Sequence, residues 1–308
     1  MEATNRNAIE MNVNALNETL MQQPTNIHPM AVIHPSATVG KDVRIGPFCV
    51  VDEHVTLGDG CHLHNNVTIT GHTTVGEGSS FFPGCIIGAA PQDLKYRGGP
   101  TTLEIGKHNI FREYVTAHPG TEVGGGVTRI GDRNLFMGAI HIGHDVIIGN
   151  HCILANEVLL AGHVVIEDHV TIGGHTGVHH FTSIGKHAMV GGMTKVTSDV
   201  PPFLTVASTR STRQEVRAVN GVGLKRNKFS EAEILRLKQA YMRMFSRRAR
   251  SSGVPITDTI QSILAETSDE NIKYLCNFLL RSFECGRRGR YLESLRNSES
   301  KNPPPRGT

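Results

Sequence analysis

From Ile33 onward the apolar positions fall six residues apart, at Val39, Ile45, Val51, Leu57, Leu63, Ile69, Val75, Phe81 and Ile87. The spacing returns at Ile105, Phe111 and Ala117. It then runs unbroken from Ile130 through Phe136, Ile142, Ile148, Leu154, Leu160, Ile166, Ile172, Val178, Ile184 and Val190 to Val196. Six matches neither the period of a helix nor that of a strand; it marks a hexapeptide β-helix. Three hexads make one triangular coil of about 18 residues. Successive coils stack at about 4.8 Å, the spacing of paired strands. Each inward aliphatic side chain then packs on its equivalents above and below, contributing on the order of 1.5–3 kcal/mol. A charge at Ile148 or Leu154 is expected to break the stack.

The phase is lost twice, over residues 88–104 and 119–129. The first gap carries Gln92-Asp93-Leu94-Lys95, too polar and charged for a merely tolerated insertion, and inserted loops tend to carry function. The repeat ends at Pro201-Pro202. Beyond Lys228 the period becomes helical: Ser230 with Glu233 forms a capping box ahead of Ile234, Leu237, Tyr241 and Phe245. Thr267 with Glu270 gives a second capping signal, ahead of Ile272, Leu275, Leu279 and Phe283. A shorter helix is expected over Thr257–Ala265. The sequence thus divides into a flexible leader (1–28), a β-helix (29–202), a connector with a helical domain that caps the solenoid (203–296) and a disordered tail (297–308).

Composition narrows the picture. Aromatic residues make up 5% of the chain and tryptophan is absent, which suits a thin aliphatic core. The net charge of +3 is too small to argue for nucleic acid or membrane. No apolar run approaches the roughly 18–20 residues of a membrane span, and the leader has no signal-peptide core. A cytoplasmic protein is expected. Cys49, Cys61, Cys85 and Cys152 each follow a repeat residue by four positions, a phase that points to packing rather than disulfide or metal. Glycine, abundant in this chain, is expected at the turns, often at positive φ.

One coil length separates His144 from Gly162. Stacking therefore brings the Gly162 backbone to roughly 5 Å from His144, with no side chain between them. A histidine beside a free glycine N–H is a usable pairing of general base and oxyanion donor. Asp145 could orient the imidazole, although adjacent strand residues point to opposite faces unless a turn intervenes. His151, His169 and His187 also recur at coil spacing, as expected of a solvated turn position repeated by the solenoid rather than of a metal column.

The hexads, Pro91-Gln92-Asp93-Leu94-Lys95-Tyr96, Arg112-Glu113-Tyr114-Val115-Thr116-Ala117-His118, His141-Ile142-Gly143-His144-Asp145, Leu160-Ala161-Gly162-His163 and Val178-His179-His180-Phe181 occur in order. Together they resemble the acyl-carrier-protein–UDP-N-acetylglucosamine O-acyltransferases, over roughly residues 33–290. The resemblance implies a mainly β fold, a left-handed parallel β-helix with a small C-terminal helical domain, and a homotrimer with sites between subunits. It implies transfer of a 3-hydroxyacyl chain from acyl carrier protein to the glucosamine 3-position of a UDP-sugar, with no metal or other cofactor, as the first step of lipid A synthesis. His144 is then the general base, Asp145 its support and Gly162 the oxyanion donor. Gln92, Asp93, Lys95, His118, His141, His163 and His179 correspond to residues that bind or orient the substrates. His180 stands among them where glutamine is common. Asn220 and Arg226 correspond to nucleotide contacts, and Gly192 to the position limiting acyl length, where glycine leaves room for a longer chain.

Val222 and Asn227 replace an acidic and a basic residue near the nucleotide, which leaves the 3-amino analogue of the sugar open as acceptor. Arg243, Arg247, Arg248, Arg250, Arg281, Arg287, Arg288 and Arg290 form either a solvated face or a docking surface for the acidic carrier protein. No aromatic interleaving supports nucleic acid. The competing readings are a zinc-dependent, carbonic-anhydrase-like enzyme on the same solenoid and a catalytically silent solenoid.

Overall fold

The computed structural model describes residues 26–208, 214–285 and 289–299. The expected leader up to residue 25 and the expected tail from residue 300 lie outside them. The chain forms two compact units, one closing at His163 and the other opening at Val164. The first is built from short parallel strands, mostly two residues each, in the pattern of a left-handed parallel β-helix; the second opens with strands of the same kind and continues into helices.

In the first unit the hexads resolve into three ladders. One runs Ile45, Leu63, Phe81, Phe111, Phe136, Leu154. The second runs Val51, Ile69, Ile87, Ala117, Ile142, Leu160. The third runs Val39, Leu57, Val75, Ile105, Ile130, Ile148. From the second coil on these inward side chains are buried. Phe81, Phe111 and Phe136 stack with ring centroids 4.8 Å apart, the spacing of the coils themselves. The gaps in sequence phase leave the ladders in register: Ile87 pairs with Ala117, and Ala117 with Ile142. Both insertions leave the solenoid at the same corner, in the two coils just before the one carrying His144. Cys49, Cys61, Cys85 and Cys152 are buried and unbridged; burial raises the thiols of the first three, pushing Cys61 up to about 11.

The turns differ from expectation. Every sixth residue from Arg133 through Ala139, Asp145, His151 and Glu157 to His163 holds a left-handed backbone, with φ between 55° and 62°. Glycine takes this role at Gly60, Gly78 and Gly84, but in the main run full side chains do. Such a conformation costs roughly 1–2 kcal/mol. A ladder bond offsets it: His151, Glu157 and His163 donate their N–H to the carbonyls of Asp132, Gly138 and His144 at 2.9–3.0 Å. The glycines that follow the apolar residues serve close approach instead. A Cβ on Gly143 would sit 2.8 Å from the Leu160 carbonyl oxygen, inside contact distance.

In the second unit Ile172, Val190 and Val206 form one ladder, Ile166 pairs with Ile184, and Val178 with Val196. The stretch expected as a connector is structured. Leu204–Ser208 lies parallel to Met189–Val190 and then pairs antiparallel with Gln214–Val219, followed by a short helix, Gly221–Arg226. Glu231–Phe245 has the expected capping box at Ser230 and Glu233. The helix expected over Thr257–Ala265 spans Ile256–Glu266. Glu270–Leu280 is capped by Asp269, not Thr267: the Asp269 carboxylate reaches two amides, while the Thr267 hydroxyl accepts from Asp269 N–H. The last helix, Tyr291–Glu299, runs three residues into the expected tail. Phe203, Leu204, Val219, Leu224, Leu237, Ile260, Leu275 and Leu279 share the core of this region.

His169 and His187 are not solvated turns. Their rings stack at 4.7 Å and 3° and are half-buried, and His187 also packs on Phe203 and Phe229.

Candidate active site

His144 follows the strand His141–Ile142, and Asp145 follows His144 at φ 59°. That left-handed turn brings two adjacent side chains together: His144 Nδ1 lies 2.8 Å from Asp145 Oδ2. A carboxylate only accepts, so the imidazole proton sits on Nδ1 and the Nε2 lone pair is free. Nε2 faces Asp93 Oδ2 of the first insertion at 3.9 Å. The turn one coil later lies under the ring. A Cβ on Gly162 would meet His144 Cε1, Nε2 and Nδ1 at 2.4–2.9 Å, so only glycine fits. Gly162 is buried, and among the described residues its N–H donates to nothing. The coil spacing thus brings the Gly162 backbone against the His144 ring.

The second insertion holds the aspartate. Thr121 donates to it twice, N–H to Oδ1 at 2.9 Å and hydroxyl to Oδ2 at 2.7 Å. Gly124 closes against the carboxylate, where any side chain would collide with it. This insertion occupies the corner whose carbonyl would otherwise receive the Asp145 N–H, and that N–H goes instead to Thr128 Oγ1 at 2.8 Å. Burial alone would raise the Asp145 carboxyl. The His144 and Thr121 hydrogen bonds, with His163 nearby, outweigh it and hold the group below the ordinary aspartate range. Sequence reasoning missed Thr121, Gly124 and Thr128. Their signal was the placement of the gap one coil before His144.

Other expected residues gather here. His163 meets the His144 ring edge-on at 5.1 Å, with Nε2 3.8 Å from Asp145 Oδ2. His141 pairs through Nδ1 with Thr116 Oγ1 at 2.9 Å; burial first, then His118 and His144, lower its basicity. His118 is buried, and its Nδ1 donates to the Ala89 and Ala90 carbonyls at 2.9 and 3.0 Å. It therefore holds the base of the first insertion. Asp93 Oδ1 accepts from Lys95 N–H, while the Gln92 and Lys95 side chains are exposed.

In the second unit His179 and His180 lie ring against ring at 3.9 Å, and His179 Nδ1 is 3.1 Å from the His180 carbonyl. Gly192 is exposed, with only the Gly174 carbonyl within 3.2 Å of a Cβ placed on it. Asn220 is committed to structure: its side chain caps Gly221–Arg226 by accepting from Gly223 N–H and donates to the His187 carbonyl. Asn227 bonds back to Gly223, and Arg226 and Val222 are exposed. The basic series divides. Arg243 pairs with Glu266, Arg290 is buried against Glu293 and the Thr197 carbonyl, and Arg281 lies over the Phe278 and Tyr291 rings. Arg247, Arg248 and Arg250 are exposed, while Arg287 and Arg288 lie outside the described residues.

His144, Asp145 and His163 also offer three ligand atoms within 4.8 Å of one another, enough to consider a metal. The donor directions fit a proton relay better. Asp145 Oδ2 already accepts from both His144 and Thr121, and a cation there would have to displace one of them.

A solenoid of hexads with a polarised histidine over a glycine amide defines the class of hexapeptide-repeat acyltransferases. A family described as bacterial transferase hexapeptide (six repeats) matches residues 36–71, and one described as UDP-N-acetylglucosamine O-acyltransferase, domain 2, matches residues 199–289. The acyl-[acyl-carrier-protein]–UDP-N-acetylglucosamine O-acyltransferase of Anaeromyxobacter sp. (strain Fw109-5) is 46% identical over 82% of this chain and 96% of its own length. That of Nautilia profundicola is 45% identical over 68% and 78%. The solved structure of LpxA from Acinetobacter baumannii is 38% identical over 82% of this chain and 95% of its own, with a TM-score of 0.76. The chain belongs to the acyl-[acyl-carrier-protein]–UDP-N-acetylglucosamine O-acyltransferase family.

Proposed function

We propose that this chain transfers a 3-hydroxyacyl group from acyl carrier protein to the 3-hydroxyl of UDP-N-acetylglucosamine in the cytoplasm, the first step of lipid A synthesis, with His144 as general base. The observation that carries this is the His144 ring: Nδ1 is fixed on Asp145, Nε2 is free beside Asp93, and the Gly162 amide lies against it. The acceptor hydroxyl can donate its proton at about 2.7 Å to Nε2, while a different donor group of the same sugar bonds the Asp93 carboxylate 3.9 Å away. Nε2 takes the hydroxyl proton as the oxygen attacks the thioester carbonyl carbon. The resulting oxyanion accepts from Gly162 N–H. Collapse breaks the C–S bond, and the imidazolium returns the proton to the departing thiolate. The products are the 3-O-acyl sugar nucleotide and free carrier thiol.

The working form is a homotrimer whose neighbouring copy completes the site. Supporting this, Ile86 and Leu159 project outward, 44% and 52% exposed, from the ladder that also carries His141. In the first unit His163 orients the substrate and Gln92 and Lys95 contact the sugar nucleotide; in the second, His179 and His180 bind substrate, Arg226 contacts the nucleotide and the open Gly192 position admits a long acyl chain. Asn220 supports the nucleotide end through its helix cap. Arg247, Arg248 and Arg250 are the exposed part of the surface offered to the acidic carrier protein.

The test is a transfer assay crossing UDP-N-acetylglucosamine and its 3-amino analogue with carrier-protein donors of graded length. Acylation of the 3-hydroxyl by long-chain donors is expected, with His144→Ala losing nearly all of it while its thermal melt stays unchanged. Exclusive use of the amino sugar would overturn the acceptor, and preference for short chains would overturn the Gly192 assignment. Stoichiometric zinc required for turnover would replace the proton relay by a metal centre on His144, Asp145 and His163.

A further inference from the structure

Thr121 and Glu122 are neighbours in the second insertion, and they reach opposite sides of His144. Thr121 grips Asp145, on the Nδ1 side. The Glu122 carboxylate reaches into the first insertion, where Oε1 accepts the N–H of Gly99 at 2.7 Å and of Arg97 at 3.1 Å. A Cβ on Gly99 would lie 2.7 Å from the same oxygen and push the carboxylate aside. From these amides the contacts run back to Asp93. The Tyr96 hydroxyl donates to the Gly99 carbonyl at 2.9 Å, Tyr96 N–H to the Asp93 carbonyl at 3.0 Å and Lys95 N–H to Asp93 Oδ1 at 2.9 Å. Asp93 then faces Nε2. At the base of the same loop His118 holds Ala89 and Ala90, so Glu122 supplies the tie at the far end.

We infer that Glu122 is a positioning residue: it straps the first insertion to the second and so sets Asp93, and with it the acceptor sugar, against His144. This rests on the acyltransferase reading for its kinetic consequence but not for the strap itself. The Glu122 carboxylate is exposed and is bonded to the backbone of the first insertion rather than to His144 or Asp145, so its loss acts on acceptor binding rather than on proton transfer. Backbone amides, its own first and then those of Gly99 and Arg97, hold its carboxyl below the ordinary glutamate range, which agrees with a carboxylate engaged as acceptor.

The experiment compares the full chain with Glu122→Ala and Glu122→Gln by steady-state kinetics and by hydrogen exchange of the segment holding Arg97 and Gly99. For Ala we expect KM for the UDP-sugar to rise about fivefold or more with kcat within about twofold, and exchange at those amides about tenfold faster. Gln retains an acceptor oxygen and should stay near wild type in both readouts. A fall in kcat with unmoved KM, unchanged exchange in Ala, or a Gln variant behaving like Ala overturns the inference. Absence of transfer by the wild type would sink the proposed function instead, while the exchange measurement still decides the strap.

Discussion

Two consecutive coils of the first unit share one backbone and, on the proposed mechanism, have opposite tasks. At one corner stand His144 and Asp145; one coil on, at the same corner, stand Gly162 and His163. Asp145 and His163 take the same left-handed turn, with φ 59° and 62°. The residue before the turn is an imidazole in one coil and a bare amide in the next, and the turn residue itself changes from a carboxylate on that imidazole to a histidine. The repeat fixes the spacing of the proposed base and oxyanion donor; of the two insertions issuing from the same corner in the preceding coils, the second hydrogen-bonds Asp145 and the first brings Asp93 to 3.9 Å from Nε2. A regular solenoid provides register; irregular segments provide polarisation.

Filling the glycine corner is the most damaging way to break this contrast. Gly162→Ala puts a methyl within 2.4–2.9 Å of the His144 ring and forces both base and amide out of place. Its kcat is expected to fall roughly 10²–10³-fold, as for lost oxyanion donors. The fall should come with an unchanged solenoid melt and a small change in KM. Near-normal kcat in this variant would remove Gly162 from the mechanism.

Asp145→Asn is expected to cost less, about 10²-fold in kcat, through the tautomer rather than the position of the ring. An amide nitrogen turned toward Nδ1 pushes the proton to Nε2, where a base is needed. The Asp145 carboxyl lies below its ordinary value, so the charge is present above about pH 4 and is lost only as pH falls through that depressed value. The defect should therefore persist across neutral and alkaline pH. Recovery at high pH would show that Asp145 acts by charge alone.

The contrast also shows what was legible in the chain and what was not. Coil spacing placed Gly162 under His144 because hexads stack in strict register, and the inward ladders followed for the same reason. Thr121, Gly124 and Glu122 were hidden because an insertion has no period, and its partners are set by its folded path. Leu204–Ser208 was passed over because Val206 follows Val190 off the hexad count yet continues its ladder. Asn220 was expected at the nucleotide, and the residues alone could not show that its amide is spent on a helix cap and on His187. A smaller effect tests the hidden part: Thr121→Val removes the hydroxyl bond to Asp145 but keeps the N–H bond. About a tenfold drop in kcat is expected, at unchanged KM. An unaffected kcat would reduce the second insertion to a spacer.

The weakest expected effect concerns histidines that share the solenoid with His144 but lie outside the proposed site. His62 and His64 stack at 4.0 Å on an earlier coil, and His64 lies on Phe82. Burial, then His64 and Arg44, push His62 down to about 4. An unfolded histidine titrates near 6.5, so between these values the unfolded chain binds the proton that the folded coil refuses. Stability is then complete above about pH 6.5 and declines as pH falls toward 4. Partial exposure limits the loss to on the order of 1–2 kcal/mol. His62→Leu removes the titrating group and should flatten the pH dependence of urea midpoints between pH 7 and 4.5, leaving transfer at pH 7 unchanged. A variant with the wild-type slope would mean that other groups set acid stability, and that this stacked pair is held by its coil as loosely as any surface histidine.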